Sequence, residues 1–509
     1  MWHAVAKGHV RHEHASFVAS GLRYGFTAGI DVTLLKGHRW FQNYNSAVEA
    51  RADVTSALFK RVQSGKTLDL GPWSDALGSL LRATFGSSAI FPVGATPKPD
   101  LTTRPTDDHT RTGVNAATDM SFLRHSLRTY EEIATFLRND YFMRMSDVDT
   151  AFPQLPYHPS VWMYFMCRFF MDTTNVRHLL MHICGDFGSA GMPGTFKIFF
   201  VDVVLNMARC ARVITLPMPV YVDDCALIGK CREEVDSMMV SFQTWCWDVC
   251  GLAFKAAKDR VAAQSQLALG FWWNSRTLTR TLEERKMLQY VDMIATFASR
   301  EKLTLVEMQC AAGRLQRCIM TFPPGAACLL VSLFTLMCGL KLPWHARRTT
   351  RRVRKDLGLI LQLLQLNMGK GYYSYSGFTR GHVGFTDASK KFRFAGAGWV
   401  SKCGCYNFWT YGSRAMRQLI DFFEGDAVVV YAQQMGAKWF KKVQPVGIDS
   451  KAFEQSAEKG RSRAERLNEL IRKLFFLQLR YTFIFEYFWL CSADKFWQTI
   501  YPVIEKLIF

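Results

Sequence analysis

Four residues, Tyr221-Val222-Asp223-Asp224, lie between the apolar runs Leu216 to Val220 and Cys225 to Ile228, and no other stretch constrains the fold as much. An apolar strand, a tight turn carrying two aspartates and a second apolar strand make a hairpin that lifts both carboxylates to its tip. Adjacent carboxylates repel one another and are costly to desolvate, so a divalent cation is their natural partner. Taken alone, the string also suits an ordinary solvated hairpin turn. Two hard cations side by side need a further shared carboxylate. Met145-Ser146-Asp147-Val148-Asp149-Thr150-Ala151-Phe152 offers one in Asp147, 76 residues before Asp223.

The whole chain is compatible with such a site. Its 509 residues, 49% of them hydrophobic, suffice for two or more domains with real cores and argue against disorder. An excess of 63 basic over 43 acidic residues, a formal charge of +20, implies a polyanionic partner, with nucleic acid the first candidate. The 14 cysteines lack paired metal-ligand spacing and read as free thiols in a reducing compartment. Lys7, Arg11 and nearby histidines interrupt any apolar core at the N-terminus, so no secretory signal is expected. The expected location is intracellular, cytoplasmic or nuclear. The uncharged stretch Cys318 to Leu340 is broken by Pro323-Pro324-Gly325 and reads as a buried helix, leaving no membrane partner.

The run DVDTAFPQLPYHP from Asp147, followed by YVDD, resembles the palm of a reverse transcriptase, and the order and spacing of the two motifs fit that family. Phe187-Gly188, then Pro193 and Phe196, is similar to the family's intervening motif. The resemblance implies that Asp147, Asp223 and Asp224 are catalytic metal ligands and that Phe152 is a steric gate against a ribose 2'-hydroxyl, selecting dNTPs. Its apolar neighbours allow Phe152 to be a core residue instead. Tyr221, Phe187 and Gly188 are implied substrate-binding residues, with Gly188 allowing close backbone approach. Lys258 stands where the family carries a lysine near the triphosphate, although a solvated surface lysine reads equally well. Lys98 and Arg104, in PKPDLTTRPTDDHTRTGVN, are the implied triphosphate clamp, with Arg111 as the alternative. Leu269 to Trp273 resembles the hairpin that grips the primer end, and its paired tryptophans suit a core equally. Gly185-Asp186 departs from the apolar-proline pair usual at that place.

A second resemblance follows the basic run Arg347, Arg348, Arg351, Arg352, Arg354 and Lys355, which reads as a phosphate-contacting connection, with a nuclear-import signal or a solvated helix end nearly as good a reading from charge alone. Gly384 to Ser389 and Gly396 to Val400 resemble the first hairpin of ribonuclease H. Asp387, Glu424, Asp449 and Asp494, separated by 37, 25 and 45 residues, match that domain's four acids in order. Such a cluster would bind two ions. No histidine follows His382, so the mobile histidine of many retroviral domains is missing.

The expected fold is α+β, a right-hand polymerase with fingers, palm and thumb followed by an RNase H-like α/β domain. The segments are 1–95 as lead-in, 96–285 as fingers and palm, 286–345 as thumb, 346–378 as basic connection and 379–509 as RNase H-like domain. The implied protein is the reverse transcriptase/ribonuclease H of an LTR-related retroelement, of DIRS or gypsy type because of Phe187. Its implied partners are an RNA template, a DNA primer, RNA/DNA hybrid and dNTPs, with two Mg2+ per active site and Mn2+ as substitute. A decayed or domesticated copy that only binds duplexes is the alternative.

Overall fold

The computed structural model describes residues 1–98, 102–124, 128–171, 175–391, 394–413 and 417–490. They form two compact units, residues 1–136 with 142–263, and residues 137–141 with those from Gln264 onward.

The first unit holds a two-stranded antiparallel pair, Val93–Pro97 with Thr103–Asp107, and two larger sheets. One has five strands in the order Gly37–Trp40, Ser87–Ile90, Met166–Phe170, Arg177–His182 and Thr67–Pro72. The other has three. Its central strand, Asp224–Gly229, runs antiparallel to Phe142–Asp147 on one side and Val220–Tyr221 on the other. The apolar run from Leu216 thus yields a strand of only two residues. Pro217 and Pro219 have no N–H to donate, yet their carbonyls accept from Ile228 and Ala226 at 3.1 and 2.9 Å, so the chain still follows the ladder.

Helix Arg232–Cys250 packs on this sheet through Val235, Met239, Phe242 and Cys246 and ends at Gly251, whose φ of 66° is the left-handed stop that glycine allows. Arg144, only 7% exposed, ties strand to helix. Its guanidinium donates to Asp236 at 3.0 Å and to Asp259 at 2.6 Å, fixing the chain just beyond Lys258.

The second unit begins with a four-stranded antiparallel sheet, Ser265–Ala268, Phe271–Asn274, Thr279–Leu282 and Lys370–Tyr372. Leu269 and Gly270 have φ of 52° and 84°, the two positive values that a I′ hairpin turn demands. Strand alternation buries Trp273 completely and leaves Trp272 40% exposed. Helix Leu305–Ile319 opens with a reciprocal Thr304–Glu307 cap. The uncharged stretch that follows forms a short 3-10 turn and the seven-residue helix Val331–Met337. Among the described residues no helix is long and apolar enough to cross a membrane.

A mixed sheet completes this unit. Gly384–Lys391, Phe394–Ser401 and Tyr406–Tyr411 form a meander, and Lys442–Ile448 runs parallel to the first of them and to Ile484–Trp489. Helix Ile420–Met435 lies against the sheet, and Glu465–Tyr481 packs on that helix. Helix Arg351–Asn367 of the same unit meets Glu465–Tyr481 through a buried ion pair, Asp356 with Arg472 at 2.5 Å, and Ser332 donates to the same carboxylate at 2.6 Å. Breaking a buried pair strands its partner charge at a cost of about 3–5 kcal/mol. Asp356→Ala is therefore expected to lower the unfolding free energy of this unit by that much, read from the urea midpoint and slope by tryptophan fluorescence. An unchanged midpoint would show the pair to be inert.

Candidate functional site

The three-stranded sheet brings the first set of candidate residues together. Asp224 is the direct cross-strand partner of both Asp147 and Tyr221. Val222, at the first central position of the turn, has φ of 58°. A β-branched residue rarely adopts this, and it is the kind of local strain that collects at functional turns. The turn leaves Asp223 and Asp224 half-buried at the tip, while Asp147 at the end of its strand is 1% exposed.

Burial, reinforced by the charge of Asp147, pushes the Asp223 carboxyl above its ordinary range. Burial and the charge of Asp223 raise Asp224 to about 6. Asp147 is compensated differently, with Lys255 on one oxygen at 2.7 Å and Lys258 on the other. Desolvation opposes the charge on Lys258, but its bond to Asp147 prevails and raises its pKa. Lys258 is thus an exposed lysine whose ammonium reaches Asp147. The site offers adjacent hard oxygen ligands, and two ammonium groups already act as cations beside the deepest of them. Among the described residues, the oxygens of Asp147, Asp223 and Asp224 do not form a set that lies wholly within 4.8 Å, although hard oxygen donors of this kind suit a divalent cation.

A cavity of about 410 Å³ in the same unit is lined by Lys60, Arg61, Lys66, Lys98, Thr150, Pro153 and Phe187, among others. Lys66 donates to Thr150, three residues past Asp147, at 3.0 Å. Arg104 stacks over the Phe187 ring at 5.8 Å, whereas Arg111 covers Phe41 and Tyr44. Lys98 and Arg104 are thus brought to the cavity region, with Lys60 and Lys66 as cations that the sequence reading missed. These two lie on and just after helix Arg51–Gln63, far from any motif. Phe152 is 4% exposed and packs on Phe187 at 4.9 Å and Phe196 at 5.9 Å. The ring that faces the cavity is Phe187, 52% exposed, and Phe152 supports it from behind. At Gly188 a Cβ would lie 1.9 Å from the Asp107 carbonyl, so the close approach recorded here is to the protein's own backbone.

The second unit gathers the other set. Asp387 lies on the first strand of the meander, Glu424 on helix Ile420–Met435 and Asp449 just past strand Lys442–Ile448. One ligand oxygen from each lies within 4.8 Å of the others. Glu424 accepts from the Ala388 amide at 3.0 Å through one oxygen, while its other oxygen is buried with no partner. Burial and the charge of Asp449 push Asp387 up to about 7, and burial with both neighbours pushes Glu424 well above its ordinary value. An orphaned buried oxygen amid mutually repelling carboxylates is the arrangement a divalent ion relieves. Asp421 also borders Asp449, held by the Ser450 hydroxyl at 3.0 Å. Asp494 lies outside the described residues. In the basic run, Arg352 is engaged by Glu465 and by Glu469, the latter at 2.9 Å, and Arg348 pairs with Glu301 at 3.3 Å.

The fold resembles that of solved reverse transcriptases. Two solved structures carry the comparison. The foamy viral protease-reverse transcriptase in complex with RNA/DNA hybrid superposes with a TM-score of 0.51 at 13% identity, over 95% of this chain and 61% of that one. The foamy viral protease-reverse transcriptase dRH in complex with double-stranded DNA gives 0.50 at 13% identity, over 92% and 74%. No protein-family model and no curated protein matches the sequence.

The raised carboxyls have a testable consequence. Between pH 3.8 and about 7 the folded chain keeps a proton on Asp387 that the unfolded chain has released. Metal-free stability should therefore fall as pH rises through that window. Added Mg2+ should raise the unfolding temperature more at pH 8 than at pH 5, and Asp387→Asn should flatten both effects in thermal melts.

Proposed function

We propose that the chain is an RNA-directed and DNA-directed DNA polymerase with ribonuclease H activity on RNA/DNA hybrids, serving a retroelement of DIRS or gypsy type. The observation that carries this reading is the coexistence in one reverse transcriptase-like chain of two separate carboxylate clusters, each drawn from elements remote in sequence. Phe187 supports the retroelement branch, and the segments 1–95, 96–285, 286–345, 346–378 and 379–509 are proposed as its lead-in, fingers and palm, thumb, connection and RNase H-like domain.

In the first activity a primer 3'-hydroxyl attacks the α-phosphorus of a dNTP, and the bond to the β-phosphate breaks to release pyrophosphate. Asp147, Asp223 and Asp224 would hold the ions. Lys98 and Arg104, with Lys60 and Lys66 beside them, would bind the triphosphate oxygens. Lys258, kept charged next to Asp147, is placed to give a proton to the departing pyrophosphate. Phe187, backed by Phe152, walls the sugar side. In the second activity, water attacks a phosphodiester of the RNA strand and the 3'-oxygen leaves, so no nucleophilic side chain is needed. Asp387, Glu424 and Asp449, with Asp494, would hold the ions of that site. Bound divalent ions would supply polarisation of the attacking oxygen and stabilisation of the leaving one at both sites.

With Mg2+, an RNA template and a DNA primer, the purified chain should extend the primer with dNTPs and cut the RNA of the hybrid. Asp223→Asn should abolish extension and spare cleavage, and Asp449→Asn should do the reverse. A wild type that does neither overturns the catalytic reading and leaves a duplex-binding protein. Phe152→Ala, by loosening the wall, should raise ribonucleotide incorporation at least about tenfold relative to dNTP, measured by single-nucleotide extension.

A further inference from the structure

The pair Gly185-Asp186 stands where related polymerases carry an apolar residue and proline, and the structure gives Asp186 a defined task. Asp186 is 1% exposed and His109 is fully buried. His109 Nε2 donates to one Asp186 oxygen at 2.9 Å, while the other accepts from the Gly188 and Ser189 amides, each at 3.0 Å. Asn115 grips the same loop from the opposite side, donating to the Gly188 carbonyl at 3.1 Å and accepting from the Ala190 amide at 2.9 Å. Four backbone groups of the five-residue loop 186–190 are therefore pinned, two by the loop's own Asp186 and two by Asn115. The His109 ring is itself clamped edge-on between Phe91 and Phe165, with centroids 4.4 and 4.8 Å away.

Two buried carboxylates meet here, Asp186 and Asp107, and two cations match them. Arg61 pairs with Asp107 at 3.1 Å, and His109 with Asp186. Desolvation works against a charged His109, but the Asp186 charge and hydrogen bond overcome it and raise its pKa. Asp107, His182 and Asp186 also present ligand atoms within 4.8 Å of one another. His182 Nδ1 lies 3.6 Å from the Asp186 oxygen that His109 holds, and a dication there would compete with Arg61 and His109 for the two carboxylates. Buried ion pairs contribute little net stability. What this one provides is geometry, since Phe187 sits between Asp186 and the pinned Gly188 and projects into the cationic cavity.

We propose that the buried His109–Asp186 pair is the positioning element for the Phe187–Gly188 loop, setting the height of the shelf on which the incoming dNTP rests. This rests on the polymerase reading above. Neither residue touches the nucleotide, and both act through the loop backbone.

The test uses the full chain and compares Asp186→Ala, Asp186→Asn and His109→Gln. Asp186→Ala frees the Gly188 and Ser189 amides, and misplacing a substrate-contacting loop by about 1 Å costs up to about 100-fold. The expected result is a 10- to 100-fold rise in KM for dNTP, roughly that range of misplacement, with kcat and hybrid cleavage by the same preparation unchanged. Asp186→Asn keeps an oxygen for the two amides and should recover most of the affinity, with His109→Gln falling between. Hydrogen exchange of the 183–191 segment, read without any substrate, should speed up in Asp186→Ala and much less in Asp186→Asn.

An Asp186→Ala chain with unchanged KM and exchange overturns the proposal. So does a parallel loss of extension, cleavage and melting temperature, which would mark a merely structural pair. One equivalent of divalent metal retained by the purified wild type, and lost in Asp186→Ala, would assign the cluster to metal binding instead. A wild type that cleaves hybrid but extends no primer removes the polymerase reading and the shelf with it, whereas faster exchange of the 183–191 segment in Asp186→Ala would still identify Asp186 as the loop's anchor.

Discussion

Repulsion among gathered carboxylates is the interaction on which the rest of the structure depends. Asp147, Asp223 and Asp224 meet at one strand junction, and Asp387, Glu424 and Asp449 at another. Each set is partly or wholly withdrawn from water, so ionising all its members is expensive. The protein answers in two ways. At the first junction two lysines neutralise the deepest acid. At the second, nothing positive enters among the described ligand atoms, and the acids are pushed toward protonation. Both answers leave oxygen donors that a hard cation satisfies better than protons do.

Holding such clusters open requires a stiff surround, and the surround is ionic as well as apolar. Arg144 bridges the Phe142–Asp147 strand to Asp236 and Asp259, so the strand bearing Asp147 and the segment bearing Lys258 are fixed by one guanidinium. His109 and Arg61 do the same under the Phe187–Gly188 loop. In the second unit, Asp356–Arg472 and the Asn468 bond to the Cys328 carbonyl at 3.2 Å join helices distant in sequence. Planar, always-charged guanidinium suits each arginine site because it can serve several oxygens from one position.

Much of this was legible in the sequence where the signal is local. The Asp-Asp turn follows from turn residues between apolar runs, and the two strands read by resemblance at Gly384 to Ser389 and Gly396 to Val400 shift by only a few residues. The strand before Tyr221 came out short because proline carbonyls can continue a ladder that proline nitrogens cannot. What stayed hidden depends on distant pairing. Nothing in the sequence around Lys66 points to Thr150, and Asp186 looks like a flaw in a motif until His109 is seen beneath it. Phe152 and Phe187 share a motif vocabulary, yet burial separates the ring that faces the cavity from the ring behind it. Trp272 and Trp273 divide the same way, one exposed and one core.

The central claim is that the chain carries two independent divalent-metal sites, one at each carboxylate cluster. Counting bound Mn2+ by the loss of its free-ion electron paramagnetic resonance signal tests it directly. The account predicts two separable sets of sites, one lost in an Asp223→Asn, Asp224→Asn double variant and the other in Glu424→Gln. A stoichiometry that neither variant changes would contradict it.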